Sequence, residues 1–177
     1  GPSLGADAIE KGKFATIMAS VAVFLFLILY YRGFGVVAAI ALTFNLLITM
    51  AILSALRATL TLPGVAGLGL TVGMAVDAFV IIFERIKEEM GKGANLTMAM
   101  REGYSRAFSS ILDANVSTLL VCVILMYYGT GPIRGFAVTL VCGLATSMFT
   151  ALYFARGILE LLLGRLQWKL SLQWGGK

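Results

Sequence analysis

Two aspartates inside long apolar stretches are the side chains best suited to chemistry. Asp77 lies in the run from Gly69 to Glu89, and Asp113 lies in a later apolar run. A carboxylate at the centre of a membrane helix costs about 2.5–3.5 kcal/mol on insertion scales, so it marks a functional candidate. Both aspartates begin the pattern D-A-x-V. If they lie at similar depth and approach each other, one retains a proton, because paired carboxylates raise a pKa. We therefore predict that Asp77 is a proton relay.

The residues around these aspartates favour a polar network but supply no base. Asp113 has a second interpretation, in which it caps a helix start or binds a loop amide near the membrane interface. Polar groups in hydrocarbon seek one another, so we expect a supporting network of Asp113, Asn115, Asn45 and Thr118. No Lys or Arg stands near Asp77 within its apolar run. Asp77 is then either protonated or paired with a basic group of another polypeptide.

Small residues four positions apart predict close helix packing at two places. Gly69 and Gly73 share a helix face with Asp77, so we expect Asp77 to face a tight helix contact and not lipid. The second ladder is longer and predicts the same kind of contact in the last apolar segment; it comprises Gly131, Gly135, Thr139, Gly143, Ser147 and Ala151.

Composition restricts the class of protein. The 177 residues are 59% hydrophobic and 13% charged, with a mean hydropathy of +0.92, which predicts an integral membrane protein built from helices. The absence of His excludes His-based zinc sites and Ser-His hydrolysis, and we expect no metal site. Cys122 and Cys142 lie in apolar runs and are interpreted as buried hydrophobes and not as a disulfide. The net charge of +5 is no evidence for a nucleic-acid partner.

Five segments of membrane length must position these residues. The predicted fold is an all-α, five-helix transmembrane bundle over residues 14–156, with Pro63 and Pro132 near the starts of two helices. The predicted helices are 14–31, 33–56, 62–86, 107–128 and 132–156. Residues 1–3 are interpreted as a protease-cleavage scar and 4–13 as a periplasmic linker. The predicted cytoplasmic loop 84–106 holds a short interfacial helix capped by Asn95, and 157–177 form an amphipathic cytoplasmic tail.

Basic residues predict the orientation. Ten of the 14 Lys and Arg residues fall on one side of the predicted spans and four on the other. The positive-inside rule then places the N-terminus outside and the C-terminus in the cytoplasm. An odd number of spans with an outer N-terminus suggests a fragment whose preceding segment and outer domain are missing.

Specific motifs resemble the SecD branch of the SecD/SecF family, in the resistance-nodulation-division superfamily. They are residues 62–64 and 71–78, the sequence F-E-R-I-K-E-E at 83–89, R-A-F at 106–108, I-L-D-A-N-V at 111–116, and G-T-G-P-I at 129–133 with G-F-A-V-T at 135–139. The match covers nearly all of residues 4–156. It implies membrane helices two to six of a six-helix half, without the periplasmic domain.

The resemblance implies a role in protein export. Family members of this branch work with SecF beside the SecYEG channel in the bacterial inner membrane and use proton motive force to move preproteins. The acid matching Asp77 belongs to the proton path, Glu84 and Arg85 lie in the cytoplasmic exit motif, and an essential membrane arginine lies on SecF. Protons are then the coupling ion, with no other cofactor. Preproteins would contact the periplasmic domain, which the matched region does not include.

One position departs from the family pattern, and two other functions remain open. The family reads D-A-N-V at both sites, whereas Phe79 occupies the third position of the first site, about 200° around the helix from Asp77. The alternatives are a fragment of a lipid or drug exporter of the same superfamily and a helical scaffold or anchor without transport. The exit motif and the doubled D-A pattern argue against the exporter.

Overall fold

The computed structural model describes residues 2–165, which form a helical bundle. Five helices in this part of the chain are long and apolar enough to cross a membrane, so the predicted all-α five-helix bundle is confirmed. The helices are α1 (Pro2–Tyr31), α2 (Gly33–Ala55), α3 (Leu62–Gly91), α4 (Leu96–Tyr128), α5 (Pro132–Phe149) and α6 (Ala155–Arg165). A π-helical segment, Thr150–Phe154, joins α5 to α6, so the fifth apolar span runs from Pro132 to Leu162.

Short connections make neighbouring helices antiparallel. Arg32 alone separates α1 from α2, and Gly131 precedes α5; both have a φ of 51°, in the left-handed region that favours glycine. The two prolines stand in the first turns of α3 and α5, where a missing N–H costs little. The Thr61 hydroxyl caps α3 by accepting from the Gly64 N–H at 3.1 Å. These sequence signals therefore start helices where the pattern predicts.

Helix α3 lies at the centre of the bundle. It packs most extensively against α5 and α4 and also contacts α1 and α2. Its buried side chains Phe79, Ile82 and Phe83 belong to one apolar core with residues of α1, α2, α4 and α6. The rings of Phe34 and Phe83 lie 5.3 Å apart, which ties α2 to this core. The apolar periodicity of α3 thus places one face in the interior of the bundle.

The structure differs from the predicted boundaries at the end of α3 and the start of α4. The loop predicted over 84–106 is reduced to residues 92–95, because α3 continues to Gly91 and α4 begins at Leu96. Asn95 caps α4 as expected, since its side chain accepts from the Met98 N–H at 2.8 Å. The helix that it starts does not stop before the membrane but runs on to Tyr128. The helices extend past the apolar runs because polar sequence continues a helix readily when it carries ion pairs at helical spacing.

The predicted boundaries at the two ends of the chain also differ from the structure. Residues 4–13, predicted as a linker, belong to α1, where Lys11 and Asp7 form an exposed ion pair at 3.1 Å. The predicted tail 157–177 is helical as far as Arg165. Its remaining residues, 166–177, and Gly1 of the predicted scar lie outside the described part of the chain.

Candidate membrane carboxylate site

Asp77 lies on the uncovered face of α3. Its side chain is exposed, as are Ala66, Leu70 and Gly73, which precede it at alternating spacings of four and three residues. A Cβ added at Gly73 would meet no atom within 4 Å, whereas one at Gly69 would lie 3.3 Å from the Thr16 hydroxyl of α1. The expectation that Asp77 faces a tight helix contact is therefore wrong within this chain. Helix α1 contacts this face at Gly69 and again at Glu84, but Gly73 and Asp77 between them stay open.

The register of α3 against α4 places Asp77 and Asp113 at one level. A Cβ added at Gly103 would lie 2.6 Å from Ile86 Cγ1 and 2.9 Å from its backbone nitrogen, so these two residues face each other. Stepping four residues at a time along the antiparallel pair reaches Ile82 with Ala107, then Ala78 with Ile111, and all four are buried in one core. Asp77 directly precedes the last of these layers and Asp113 follows it by two residues. Because the helices are antiparallel, both offsets run in the same direction, and the two residues differ in level by only about 1.5 Å.

The alternative in which Asp113 caps a helix start is excluded by the extent of α4. Asp113 lies in the middle of that helix, and Asn95 occupies the cap position instead. Asp113 is exposed, and Ala114 after it is exposed as well. Asp113 therefore lies, like Asp77, on a surface that the described residues do not cover.

The structure does not join the predicted polar residues into one network. Within residues 2–165 neither aspartate carboxylate makes a hydrogen bond or ion pair. The Thr118 hydroxyl donates to the Ala114 carbonyl of its own helix at 3.1 Å, and Asn115 is half-buried. Asn45 is fully buried on α2, and its amide nitrogen and oxygen have no partner among the described residues. The tilted rings of Phe44 and Phe154 lie 4.9 Å apart, so this part of α2 lies beside the π-helical segment.

The ladder of small residues on α5 lies in the interface with α3. Thr139, Gly143, Ser147 and Ala151 are buried, and a Cβ added at Gly143 would overlap the methyl and hydroxyl groups of Thr71. At the outer end, a Cβ added at Gly135 would lie 2.9 Å from the Thr61 hydroxyl. The hydroxyls of Thr139 and Ser147 are satisfied within their own helix. These residues therefore allow the close approach of two helices and line no polar path in the described part of this chain.

The exit motif after Asp77 connects α3 to its neighbours through charged side chains. Glu84 accepts a hydrogen bond from the buried Tyr31 hydroxyl at 3.0 Å, which links α3 to α1. Arg85 pairs with Glu88 one turn further along at 3.0 Å. Glu89, which no sequence pattern singles out, is buried and pairs with Arg106 of α4 at 3.2 Å and with Lys92 at 3.1 Å. A helical interpretation of residues 84–91 would have placed Glu89 on the face of Ile82 and Ile86, and so toward the core.

Phe79 lies on the opposite side of α3 from the exposed carboxylate. It is fully buried, and its ring centroid is 5.8 Å from that of Phe83. The angle predicted from helix geometry is consistent with this placement, because two residues of separation correspond to about 200° of rotation. A phenyl ring at this position contributes to the apolar core and does not cover Asp77.

The helices and the exposed carboxylates define a multi-pass helical membrane protein with two acids near the middle of its apolar spans. Residues 1–165 match the family model described as "Protein export membrane protein SecD/SecF, C-terminal". The chain is 55% identical to protein translocase subunit SecD of Desulfurispirillum indicum and 54% identical to that of Pseudomonas aeruginosa. These alignments cover 92% and 93% of the chain but 32% and 26% of the relatives.

Solved structures have the same fold. A crystal structure of SecDF from Thermus thermophilus, described as a translocon-associated membrane protein, matches with a TM-score of 0.89 and 45% identity. A second SecDF structure, in a super-membrane-facing form, matches with a TM-score of 0.86. Each covers 93% of this chain, which spans 23% of the SecDF chain. The chain belongs to the SecD/SecF family of protein-export membrane proteins, and it spans about a quarter to a third of the length of the relatives named here.

Proposed function

We propose that this chain is the membrane-spanning part of a SecD-type subunit of the Sec translocase, in which Asp77 carries protons and proton motive force assists preprotein export. The observation that carries the proposal is the exposed, unpaired carboxylate of Asp77 at the middle of α3, level with Asp113. Such a group is costly in lipid, so a function or a partner must account for it. Protons are the coupling ion in this proposal, and no other cofactor takes part.

The proposed partner for the Asp77 face is SecF, with SecYEG as the channel that the pair assists. Exposed residues on α3 alternate at spacings of four and three residues, a pattern suited to contact with another helix. An arginine supplied by that helix would give Asp77 the basic partner that the described part of this chain lacks. The preprotein would contact the periplasmic domain of the whole subunit, while lipid surrounds the remaining helix faces.

The proposed location is the bacterial inner membrane, with the N-terminus periplasmic and the C-terminus cytoplasmic. The sequence predicts ten of the 14 basic residues on the side of Arg85 and Arg106, and this bias supports the orientation. The relatives named above are subunits of a protein translocase, which argues against the lipid or drug exporter. The scaffold without transport is the alternative that an experiment must separate from proton coupling.

The decisive substitution is Asp77→Asn in the full-length subunit assembled with SecF and SecYEG. The change keeps the size of the side chain but removes its titratable proton, so we expect proton-dependent export to be lost while the complex still assembles. Export is measured in membrane vesicles with and without a proton gradient, and assembly is measured by copurification of SecF.

The control is Asp7→Asn, which removes an exposed acid in the first turns of α1 and should leave export unchanged. Normal gradient-dependent export by Asp77→Asn would refute the proton role. The scaffold would be favoured if Asp77→Asn no longer copurified SecF and the unaltered complex showed no measurable proton flux.

A further inference from the structure

A cleft of about 540 Å³ opens between the start of α4 and α6. Met98 and Arg101 line it from α4, and Arg156 and Glu160 line it from α6. It lies at the end of the bundle that holds the charged last turns of α3 and the first turns of α4. No residue of this cleft takes part in the proposed proton site, since Asp77 lies about three turns away along α3 from the level of Arg101.

Both arginines have capacity to bind an anion. Arg101 is exposed and makes no ion pair with another described residue. Arg156 donates from Nε to Glu160 at 2.8 Å, which leaves its two terminal nitrogens without a partner in residues 2–165. Asn95 caps only the Met98 N–H, so the first turn of α4 adds partial positive charge to the same cleft. Glu160 is the only acid among the described residues that lines the cleft, and it is already paired.

A second groove of about 250 Å³ shares Arg156 with the cleft and is lined by aromatic and aliphatic side chains together with Ser105. Phe108 of α4 and Leu152 and Tyr153 of the π-helical segment form its walls, and Phe108 and Tyr153 are 42% and 65% exposed. Tyr104 lies beneath Arg156, which is 5.5 Å from its ring centroid. The Tyr104 hydroxyl is buried and has no hydrogen-bond partner among the described residues.

A ligand that fits both spaces must carry an anion at one end and an apolar chain at the other. The arginines suit a phosphate, and the groove beyond Arg156 suits an acyl chain at the membrane surface. A soluble phosphate would use only the first space and leave the apolar groove uncovered. We propose that this cleft binds an anionic phospholipid, with its phosphate between Arg101 and Arg156 and one acyl chain along Phe108 and Tyr153.

The test measures binding of phosphatidylglycerol to the whole chain in detergent by native mass spectrometry. Arg101→Gln and Arg156→Gln should each weaken binding about fivefold, because a basic side chain near an anionic membrane surface contributes about that factor. The matched control is Lys87→Gln, which removes the same charge at the same end of the bundle but away from the cleft, where Lys87 lies over the ring of Tyr30. Binding by this control should match that of the unaltered chain.

Three more comparisons separate a bound phospholipid from a soluble phosphate and from general surface charge. Glu160→Gln should strengthen phosphatidylglycerol binding, since it frees the Nε of Arg156. Phosphatidylcholine and glycerol phosphate should bind more weakly than phosphatidylglycerol, because one is neutral overall and the other lacks the acyl chains. Equal losses in Lys87→Gln and the arginine variants would show general surface electrostatics and overturn the proposal. Unchanged binding in both arginine variants, or equal binding of glycerol phosphate, would overturn it as well.

Discussion

Two faces of the bundle carry small residues at a spacing of four, and only one of them is closed. On α5 the ladder through Gly143 meets Thr71 of α3 so closely that a single methyl group would not fit. On α3 the ladder touches Thr16 of α1 at Gly69, but Gly73 meets nothing within 4 Å, and Asp77 follows it on the same uncovered face. The first ladder is a finished contact between two helices of this chain. The second also consists of small residues but holds an acid at its end, and beyond Gly69 it is open among the described residues, which is the arrangement expected of a surface completed by another polypeptide.

The largest expected effect on stability comes from adding a methyl group to the closely packed ladder on α5. Gly143→Ala should lower the free energy of unfolding by about 1–3 kcal/mol, because the added methyl overlaps the Thr71 side chain. The matched change Gly73→Ala meets open space and should be neutral or slightly stabilising, since Ala favours a helix over Gly by about 1 kcal/mol. Reversible denaturation in micelles measures both.

A Thr71→Ala background tests whether overlap with Thr71 makes Gly143→Ala more costly than Gly73→Ala. It removes the methyl and hydroxyl that an alanine at position 143 would overlap, so Gly143→Ala should cost less there than in the unaltered chain. Equal costs for Gly143→Ala and Gly73→Ala would show that the two ladders do not differ in how closely their neighbours pack.

The next effect concerns the open ladder and appears only when the proposed partner is present. Gly73→Leu should leave the unfolding free energy of this chain nearly unchanged but weaken association with SecF about tenfold, because the bulk enters the surface that the partner would cover. Quantitative copurification or fluorescence transfer in membranes measures the association.

The control for this prediction is Ala22→Leu, which adds the same kind of bulk at an exposed position of α1. It should leave the association unaffected. Unaltered affinity in Gly73→Leu would show that the open face of α3 is not the partner contact.

The smallest effect compares two acids at the end of α3, one on the covered side and one on the open side. Glu89→Gln should lower the free energy of unfolding by about 1 kcal/mol, since it removes the buried carboxylate that pairs with Arg106 of α4. Arg106 stays half-exposed, which limits the cost.

Glu88→Gln is the matched change on the exposed side, where the pairs with Arg85 and Lys92 are open to solvent. No measurable loss of stability is expected there. If both variants unfold alike in micelles, the buried pair does not hold α3 to α4.

Composition and periodicity predicted the bundle, and they failed where helices continue through polar sequence. The five apolar runs require helices, because hydrocarbon satisfies no backbone polar group. The predicted boundary between α3 and α4 is wrong because the charged residues there continue both helices. The prediction of Asn95 as a helix cap is confirmed. Both aspartates were identified from cost alone, which is a property of residue type and depth and needs no coordinates.

The sequence by itself determined which residues share a helix face, because 3.6 residues per turn fixes their angles. It therefore grouped Gly69, Gly73 and Asp77, and separated Phe79 from them. Only the tertiary structure decided which faces are covered, since that depends on which of the five helices pack against each other and in what register. The packing gives α3 a closed side toward α4 and α5 and leaves Asp77 uncovered. The cleft between Arg101 and Arg156 likewise joins residues more than fifty positions apart, and no local pattern relates them.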